Sequence, residues 1–420
     1  MFQPSVRQKL PAASRRILTL LALSVFINYV DRANLSIAGP LLKGELHLSA
    51  SQLGLLFSAF FWTYTFLQLP VGWLIDRYDV KWILAAGFFV WSLATSVTGL
   101  LHGFAAMFAI RLVLGMGEAV AYPAYGNILA RYFPETHRGI ANAVINAGQV
   151  CGPAFATLGG GLLIGKFGWR PLFLALGLIS MLWLPLWFRW MPRREPEPHK
   201  RATKPFAQIS EVLTHRSAWG TCLGLFCGNY FLYLLLTLLP FYLIHDRHFS
   251  LPDTAKIGGV AFLLVGTGAL LSGKFSDAWV SSGATSTLVR KTCLCVGLIS
   301  ASTLLLLSAI SPDRLSIILL LTACFAFGLG APHNFAVSQT LAGPALAGTW
   351  TGLQNFIGNF AGIVAPPITG YIVDRTGNFF WAFVLTTAIA WTGALVWLFL
   401  VGPVEQVTRL PFVEIEAGRD

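Results

Sequence analysis

The chain has 420 residues, 55% of them hydrophobic and only 11% charged, with a mean hydropathy of +0.66. That is too apolar for a soluble globular protein and points to a polytopic membrane protein. The net charge of +11 would suit a nucleic-acid partner only with basic residues clustered on a soluble face, and here they lie in short segments between hydrophobic runs, so no nucleic acid is expected.

The N-terminal segment, residues 1–16, is basic and is followed by a first apolar run from Ile17 to about Leu42. As a helix this run would reach roughly 39 Å, enough to span a bilayer. No small-residue cleavage site follows it, so it is expected to stay in the mature protein. Within it, Phe26-Ile-Asn-Tyr-Val-Asp-Arg-Ala-Asn-Leu-Ser-Ile-Ala38 sinks Asp31 and Arg32 into the membrane. Neighbours on a helix point about 100° apart, so the two cannot fully shield each other. Each should face a polar cavity or a partner on another helix; the competing reading is a structural ion pair that locks the first helix.

Further spans follow at about Leu53–Ile75, Trp82–Leu101, Phe104–Ala130, Ile140–Ile164 and Trp169–Trp190. After a polar stretch come Ala218–Ile244, Ile257–Trp279, Thr292–Ile310, Leu315–Leu341, Thr349–Val373 and Phe379–Val401. The expected fold is therefore all-α, with twelve transmembrane helices in two six-helix bundles. The bundles are residues 1–190 and 218–420, the latter with a short tail, and the linker is 191–217. Rich in charge and proline, that linker cannot bury a core and reads as a solvated connection.

Basic residues are biased to the side of the N terminus, with Arg7, Lys9, Arg15, Arg16, Arg77, Lys81, Arg131, Arg138, Arg189, the linker cations, Lys274, Arg290, Lys291, Arg409 and Arg419. The other side has only Lys43, Lys166, Arg170, Arg247, Lys256, Arg314 and Arg375. Both termini and the linker are thus expected in the cytoplasm of a multi-pass plasma-membrane protein, in bacteria the inner membrane.

That tally leaves Arg32, Arg111, Asp31 and Glu118 as the intramembrane charges, all in the first half. Arg111 and Glu118 are two turns apart on one face of the fourth span, so the first and fourth helices could bring two carboxylates and two guanidiniums together. A charge-neutral clasp between helices is the alternative. A weak repeat links the halves: Gly72-Trp-Leu-Ile-Asp76-Arg77 follows the second span and Gly273-Lys-Phe-Ser-Asp277 the eighth. Its glycines permit close helix approach, and its aspartates can accept hydrogen bonds at a helix N-terminus. Because Ala278 stands where the first copy has arginine, the first loop is expected to be the stronger clasp.

All six cysteines, Cys151, Cys222, Cys227, Cys293, Cys295 and Cys324, fall in apolar segments and read as reduced core residues. Cys293 and Cys295 face opposite ways on one helix, poor geometry for a shared metal. Gly115-Met-Gly-Glu118 and Gly159-Gly-Gly161 lie in spans and follow no strand, so they read as helix contacts and not as a dinucleotide fingerprint. No metal, cofactor or enzymatic activity is expected.

These residues together resemble the major facilitator superfamily, and more closely its anion:cation symporter family, whose bacterial members include galactonate, glucarate, hexuronate, tartrate and phthalate transporters. The carriers are Asn28-Tyr-Val-Asp-Arg-Ala-Asn34, the Gly72–Arg77 loop, Arg111-Leu-Val-Leu-Gly-Met-Gly-Glu118 with Tyr122-Pro123, and Tyr132-Phe-Pro-Glu-Thr-His-Arg-Gly139. In the second half they are Asn355-Phe-Ile-Gly-Asn-Phe-Ala-Gly-Ile363 and Pro367-Ile-Thr-Gly-Tyr-Ile-Val-Asp-Arg-Thr-Gly377. The resemblance implies that helices 1, 4, 7 and 10 line a central cavity, that helices 2, 5, 8 and 11 flank it, and that the halves rock about the substrate. It makes Asp31 and Glu118 the proton carriers, Arg32 the anion-binding residue and Arg111 the partner of Glu118. Tyr29, Tyr64, Gln68, Gln149 and Asn355 match positions that contact an acidic sugar. Tyr64 and Gln68, four apart on one face, could instead serve an interhelical hydrogen bond.

In the tenth helix, Pro332-His333-Asn334-Phe335 departs from the family pattern. His333 and Asn334 could reach a ligand hydroxyl or carboxylate; His333 could also titrate, or merely bond a neighbouring carbonyl. The expected function is proton-coupled symport of a small organic anion, most of all a sugar acid, by a functional monomer driven by the proton gradient. The alternatives are an aromatic or dicarboxylic acid carrier, or an anion exchanger or exporter. A channel or receptor is disfavoured by the duplicated halves.

Overall fold

The computed structural model describes residues 11–133, 135–192 and 205–406. Within these, the side chains of 69, 73, 76, 130, 135–140, 142, 143, 146, 205–208, 211, 277 and 343–348 lie outside the description, which therefore takes in neither Asp76 nor Asp277 of the two expected loops. Helix α1 (Ala12–Glu45) runs from the side of the N terminus, the near side, to the far side, and α2 (Ala50–Arg77) returns. Then come α3 (Val80–Thr98), α4 (Phe104–Glu118), α5 (Ala121–Tyr132), α6 (Glu135–Phe155), α7 (Gly161–Phe167), α8 (Trp169–Ser180) and α9 (Trp183–Trp190). The short α10 (Pro205–Thr214) precedes α11 (Arg216–His245), α12 (Leu251–Ser281), α13 (Ser286–Ile310), α14 (Asp313–Gly330), α15 (His333–Thr376) and α16 (Phe380–Leu395).

Among the described residues eleven segments are long and apolar enough to cross a membrane. The 28-residue α2 makes a twelfth helix of membrane length. Several spans are interrupted where the sequence suggests one helix. The fourth divides between α4 and α5, because Pro123 has no N–H to offer the carbonyl of Ala119. The tenth divides at Ala331 and Pro332 for the same reason. In the fifth, a wide π-helical turn at Ala156–Gly160 follows Pro153.

The two halves repeat one plan. Left-handed His47 and His248, 201 residues apart, each precede a serine that caps the next helix: Ser49 Oγ accepts from Gln52 N at 3.0 Å, and Ser250 Oγ from Asp253 N at 3.2 Å. Glu45, ending α1, accepts from Trp169 Nε1 and Arg170 Nη2, both at 2.7 Å, as α8 begins. Its counterpart Asp246, ending α11, accepts from Phe379 N at 2.6 Å as α16 begins. On the near side Lys81 donates to the carbonyls of Phe188 and Met191, and Lys291 to those of Leu398 and Val401, so each lysine closes the carbonyl end of the last span of its half.

The glycine pair at 115 and 117 recurs as Gly328 and Gly330, and both pairs are contact glycines. A Cβ at Gly115 would sit 2.2 Å from the Phe60 carbonyl of α2, and one at Gly328 2.2 Å from the Val265 carbonyl of α12. Small residues here let backbones meet where no side chain fits.

Between the halves, α1 meets α11, α2 meets α15, and α6 and α7 meet α12. The close contacts lie towards the far side. Ser36 Oγ donates to the Thr237 carbonyl at 2.9 Å, a Cβ at Gly54 would fall 2.3 Å from the Pro366 carbonyl, and one at Gly161 2.5 Å from Ala255 Cβ. Towards the near side Gly72 and Gly273 have no described neighbour within 4 Å of a Cβ. Arg77 is exposed on that side.

Two further expectations change. The 191–217 stretch carries α10, which lies against α15 and α11 with Val212 fully buried, so it is not a solvated connection throughout. All six cysteines are free, but Cys151 is exposed and only the other five are buried.

Gly115→Val should force α4 off α2 and cost about 1–3 kcal/mol, lowering the melting temperature of the purified protein. Gly126→Ala, where a Cβ has no described neighbour within 4 Å, should leave it unchanged.

Candidate substrate and proton site

Halfway along α1, Arg32 is buried with its guanidinium carbon over three aromatic rings, those of Tyr64 at 4.4 Å, Phe60 at 4.7 Å and Tyr29 at 4.9 Å. The negative faces of these rings stabilise a cation that water does not reach. Its Nε donates to Oε2 of Glu118 at 2.8 Å, with side-chain exposures of 4% and 0%. Glu118 is the last residue of α4, so the pair joins the first and fourth spans at the point where α4 stops.

The direct bond to Glu118 comes from Arg32, not from Arg111, the partner the family resemblance implies. Arg111, two turns away on the same face of α4, makes no direct bond to Glu118 among the described contacts but lies close enough to interact with its charge, whereas Arg32 bonds it from the neighbouring helix. Arg111 is buried over the other part of the cage, 5.3 Å from the Phe60 ring. Asp31 is buried too, and neither of its oxygens has a hydrogen-bond partner among the described residues. Arg32 Nη2, Arg111 Nε, Glu118 Oε1 and both polar atoms of Asn28 share that condition. Two acids and two guanidiniums make the cluster formally neutral, yet it holds several unmet donors and acceptors, each of which is costly without a partner.

Half-buried polar residues surround this core. Gln149 Nε2 donates to the hydroxyls of Tyr122 and Tyr29, the latter at 3.2 Å, and Tyr122 donates to Tyr29 at 3.3 Å. Gly152 makes the triad possible, since a Cβ there would lie 2.7 Å from Tyr29 Cβ. Tyr64 stacks on Phe60 at 5.0 Å. Gln68 turns to the second half, where its Oε1 accepts from Asn355 Nδ2 at 3.2 Å.

A family model described as the Major Facilitator Superfamily matches residues 21–366. The chain belongs to the major facilitator superfamily. It is 32% identical to the probable galactarate/D-glucarate transporter GarP of Escherichia coli, with 97% of this chain and 99% of that one covered. It is 31% identical to the probable galactarate/D-glucarate transporter GudP of Bacillus subtilis (93% and 92% covered), and 32% identical to an Escherichia coli D-galactonate transporter (94% and 97% covered). In fold it is similar to a bacterial homologue of the lysosomal transporter Spinster, with a TM-score of 0.79 over 94% of this chain and 98% of that one at 19% identity.

In this facilitator the tenth span does not join the Arg32 cluster. His333 Nε2 lies 3.0 Å from Ser272 Oγ, which itself donates to the Leu329 carbonyl, so the imidazole is the donor to the serine. Asn334 Nδ2 donates to the Ala331 carbonyl at 3.3 Å. These described bonds lie within the second half. The second half reaches the site instead through α11 and α15. Tyr233 packs on Phe61 at 4.4 Å between ring centroids and donates to Asn359 Oδ1, whose Nδ2 donates to the Asn355 carbonyl at 2.8 Å. Tyr122, Tyr233, Asn359 and Phe60 join the predicted residues. The signal for Tyr233 was its register: Asn28-Tyr29 recurs 201 residues on as Asn229-Tyr230, which sets Tyr233 at the place of Arg32.

Removing Glu118 alone would strand a buried guanidinium. Glu118→Leu should cost about 3–5 kcal/mol, while the double variant Arg32→Met/Glu118→Leu should recover most of that loss. Thermal melting of the three proteins decides this, and additive losses would contradict the direct pair.

Proposed function

We propose that the protein is a monomeric proton-coupled symporter that imports a sugar acid, such as an aldonate, aldarate or uronate, across the bacterial inner membrane, with both termini in the cytoplasm. The observation that carries the reading is the buried Arg32–Glu118 pair at 2.8 Å within an aromatic cage. A substrate carboxylate and Glu118 want the same guanidinium. While Glu118 is ionised it occupies Arg32 and repels the anion; a proton on Glu118 removes both obstacles, so proton and anion load together. Asp31, a buried acid without a counter-charge bonded to it among the described residues, is the second proton carrier. Hydroxyls of the substrate meet Tyr29, Tyr122, Gln149, Gln68 and Asn355. The names of the relatives support a sugar acid, and the excess of near-side basic residues supports a cytoplasmic near side.

Uptake of D-galactonate, D-glucarate and D-glucuronate into proteoliposomes should rise with an inward proton gradient, and phthalate and tartrate should not compete. Saturable phthalate or tartrate uptake without sugar-acid uptake would move the assignment to the aromatic or dicarboxylic carriers. Arg32→Ala should abolish calorimetric binding, with Arg32→Lys a poor substitute because a point charge lacks the planar fork. At least one of Asp31→Asn and Glu118→Gln should keep substrate counterflow after losing gradient-driven accumulation. Full accumulation by both variants would rule out these proton carriers.

A further inference from the structure

At the far end of α15, Gly370-Tyr-Ile-Val-Asp374-Arg375 has the spacing of Gly72-Trp-Leu-Ile-Asp76-Arg77 at the near end of α2. The two copies stand at opposite ends of the molecule, and the far copy is engaged. Oδ1 of Asp374 accepts from Ala50 N at 2.7 Å; Oδ2 accepts from Ser51 N at 2.7 Å and from Ser51 Oγ at 2.5 Å. Ala50 and Ser51 open α2, where backbone N–H groups have no acceptor within the helix and the helix dipole favours an anion. Ser49 serves only the third of these donors, on Gln52. One carboxylate of the second half thus completes the cap of a first-half helix. Gly370, one turn earlier, makes the approach possible, since a Cβ there would lie 2.2 Å from the Ala50 carbonyl.

We propose that Asp374, seated by Gly370, is a positioning residue for transport: a latch that holds the far side closed and must release before the Arg32 site can open to that side. Its chemistry suits a reversible contact. All three bonds converge on a single exposed carboxylate, so water can take over each partner as the halves part. A buried apolar seam of the same reach would have to expose its surface to do so. The near-side loop and this latch then form a matched pair, one acting at each end of the rocking motion.

Spin labels on Gly44→Cys and Arg314→Cys report the far side, and labels on Arg131→Cys and Ser282→Cys the near side, each pair in full-length Cys151→Ser protein in lipid nanodiscs. Asp374→Ala should raise the ratio of open to closed far-side distances about fivefold or more and shorten the near-side distances. Asp374→Asn should fall between it and wild type, because the amide oxygen keeps one of the backbone bonds. Gly370→Ala should open the far side as well, by steric means. Mere structural damage would lower the melting temperature without this reciprocal change. Should Asp374→Ala not yield folded protein, Gly370→Ala decides alone. Far-side distances matching wild type in the folded variants overturn the latch.

Discussion

A guanidinium held away from water inside a membrane must be given its stabilisation by the protein, and the middle of this molecule is shaped by that requirement. Phe60, Tyr64 and Tyr29 supply ring faces to Arg32, and Glu118 supplies the one direct counter-charge. Glu118 stands where α4 ends, and to bring α2 with its two rings close enough, α4 must carry glycine at 115. The proline-marked break, the contact glycine and the aromatic run of α2 are consequences of one buried charge.

The duplicated plan makes the asymmetry of the site legible. The second half keeps the contact glycines, the capping serines and the acidic residue at the end of its first helix. It has Cys324 where the first has Arg111, Ala331 where the first has Glu118, and Leu232 and Tyr233 where the first has Asp31 and Arg32. At the level of the Arg32 cluster the described charges come from the first bundle, and the second offers the neutral hydroxyl and amide groups of Tyr233, Asn355 and Asn359. Opposed walls of such different character present an anion-attracting face on one side and neutral hydrogen-bonding groups on the other.

Rarity made much of this readable in advance. Charged residues are so scarce in the spans that Asp31, Arg32, Arg111 and Glu118 stood out unaided, and apolar run lengths marked the helices. Partner choice was hidden, because it depends on how far α1 and α4 are rotated about their axes, which no spacing within a helix reports. The choice among the readings open for His333 was hidden for a related reason: the interruption at Ala331 and Pro332 re-aims the chain, and the imidazole meets Ser272 on α12. Asp374 carried the spacing of the near-side loop in plain view, yet its role depends on which end of the molecule it reaches.

The two lysines that close helix ends join biogenesis to the finished fold. Lys81 and Lys291 belong to the near-side excess of basic residues, the kind of bias that orients spans as they enter a bilayer, and each ammonium sits on the open carbonyls of a neighbouring helix. The instruction for insertion and the rivet that follows are the same atoms. Either lysine exchanged for a neutral residue would therefore weaken two processes at once, the threading of the chain and the closure of the bundle. Arginine would keep the first contribution while fitting the second poorly, since its planar head spreads its donors where a compact ammonium gathers them.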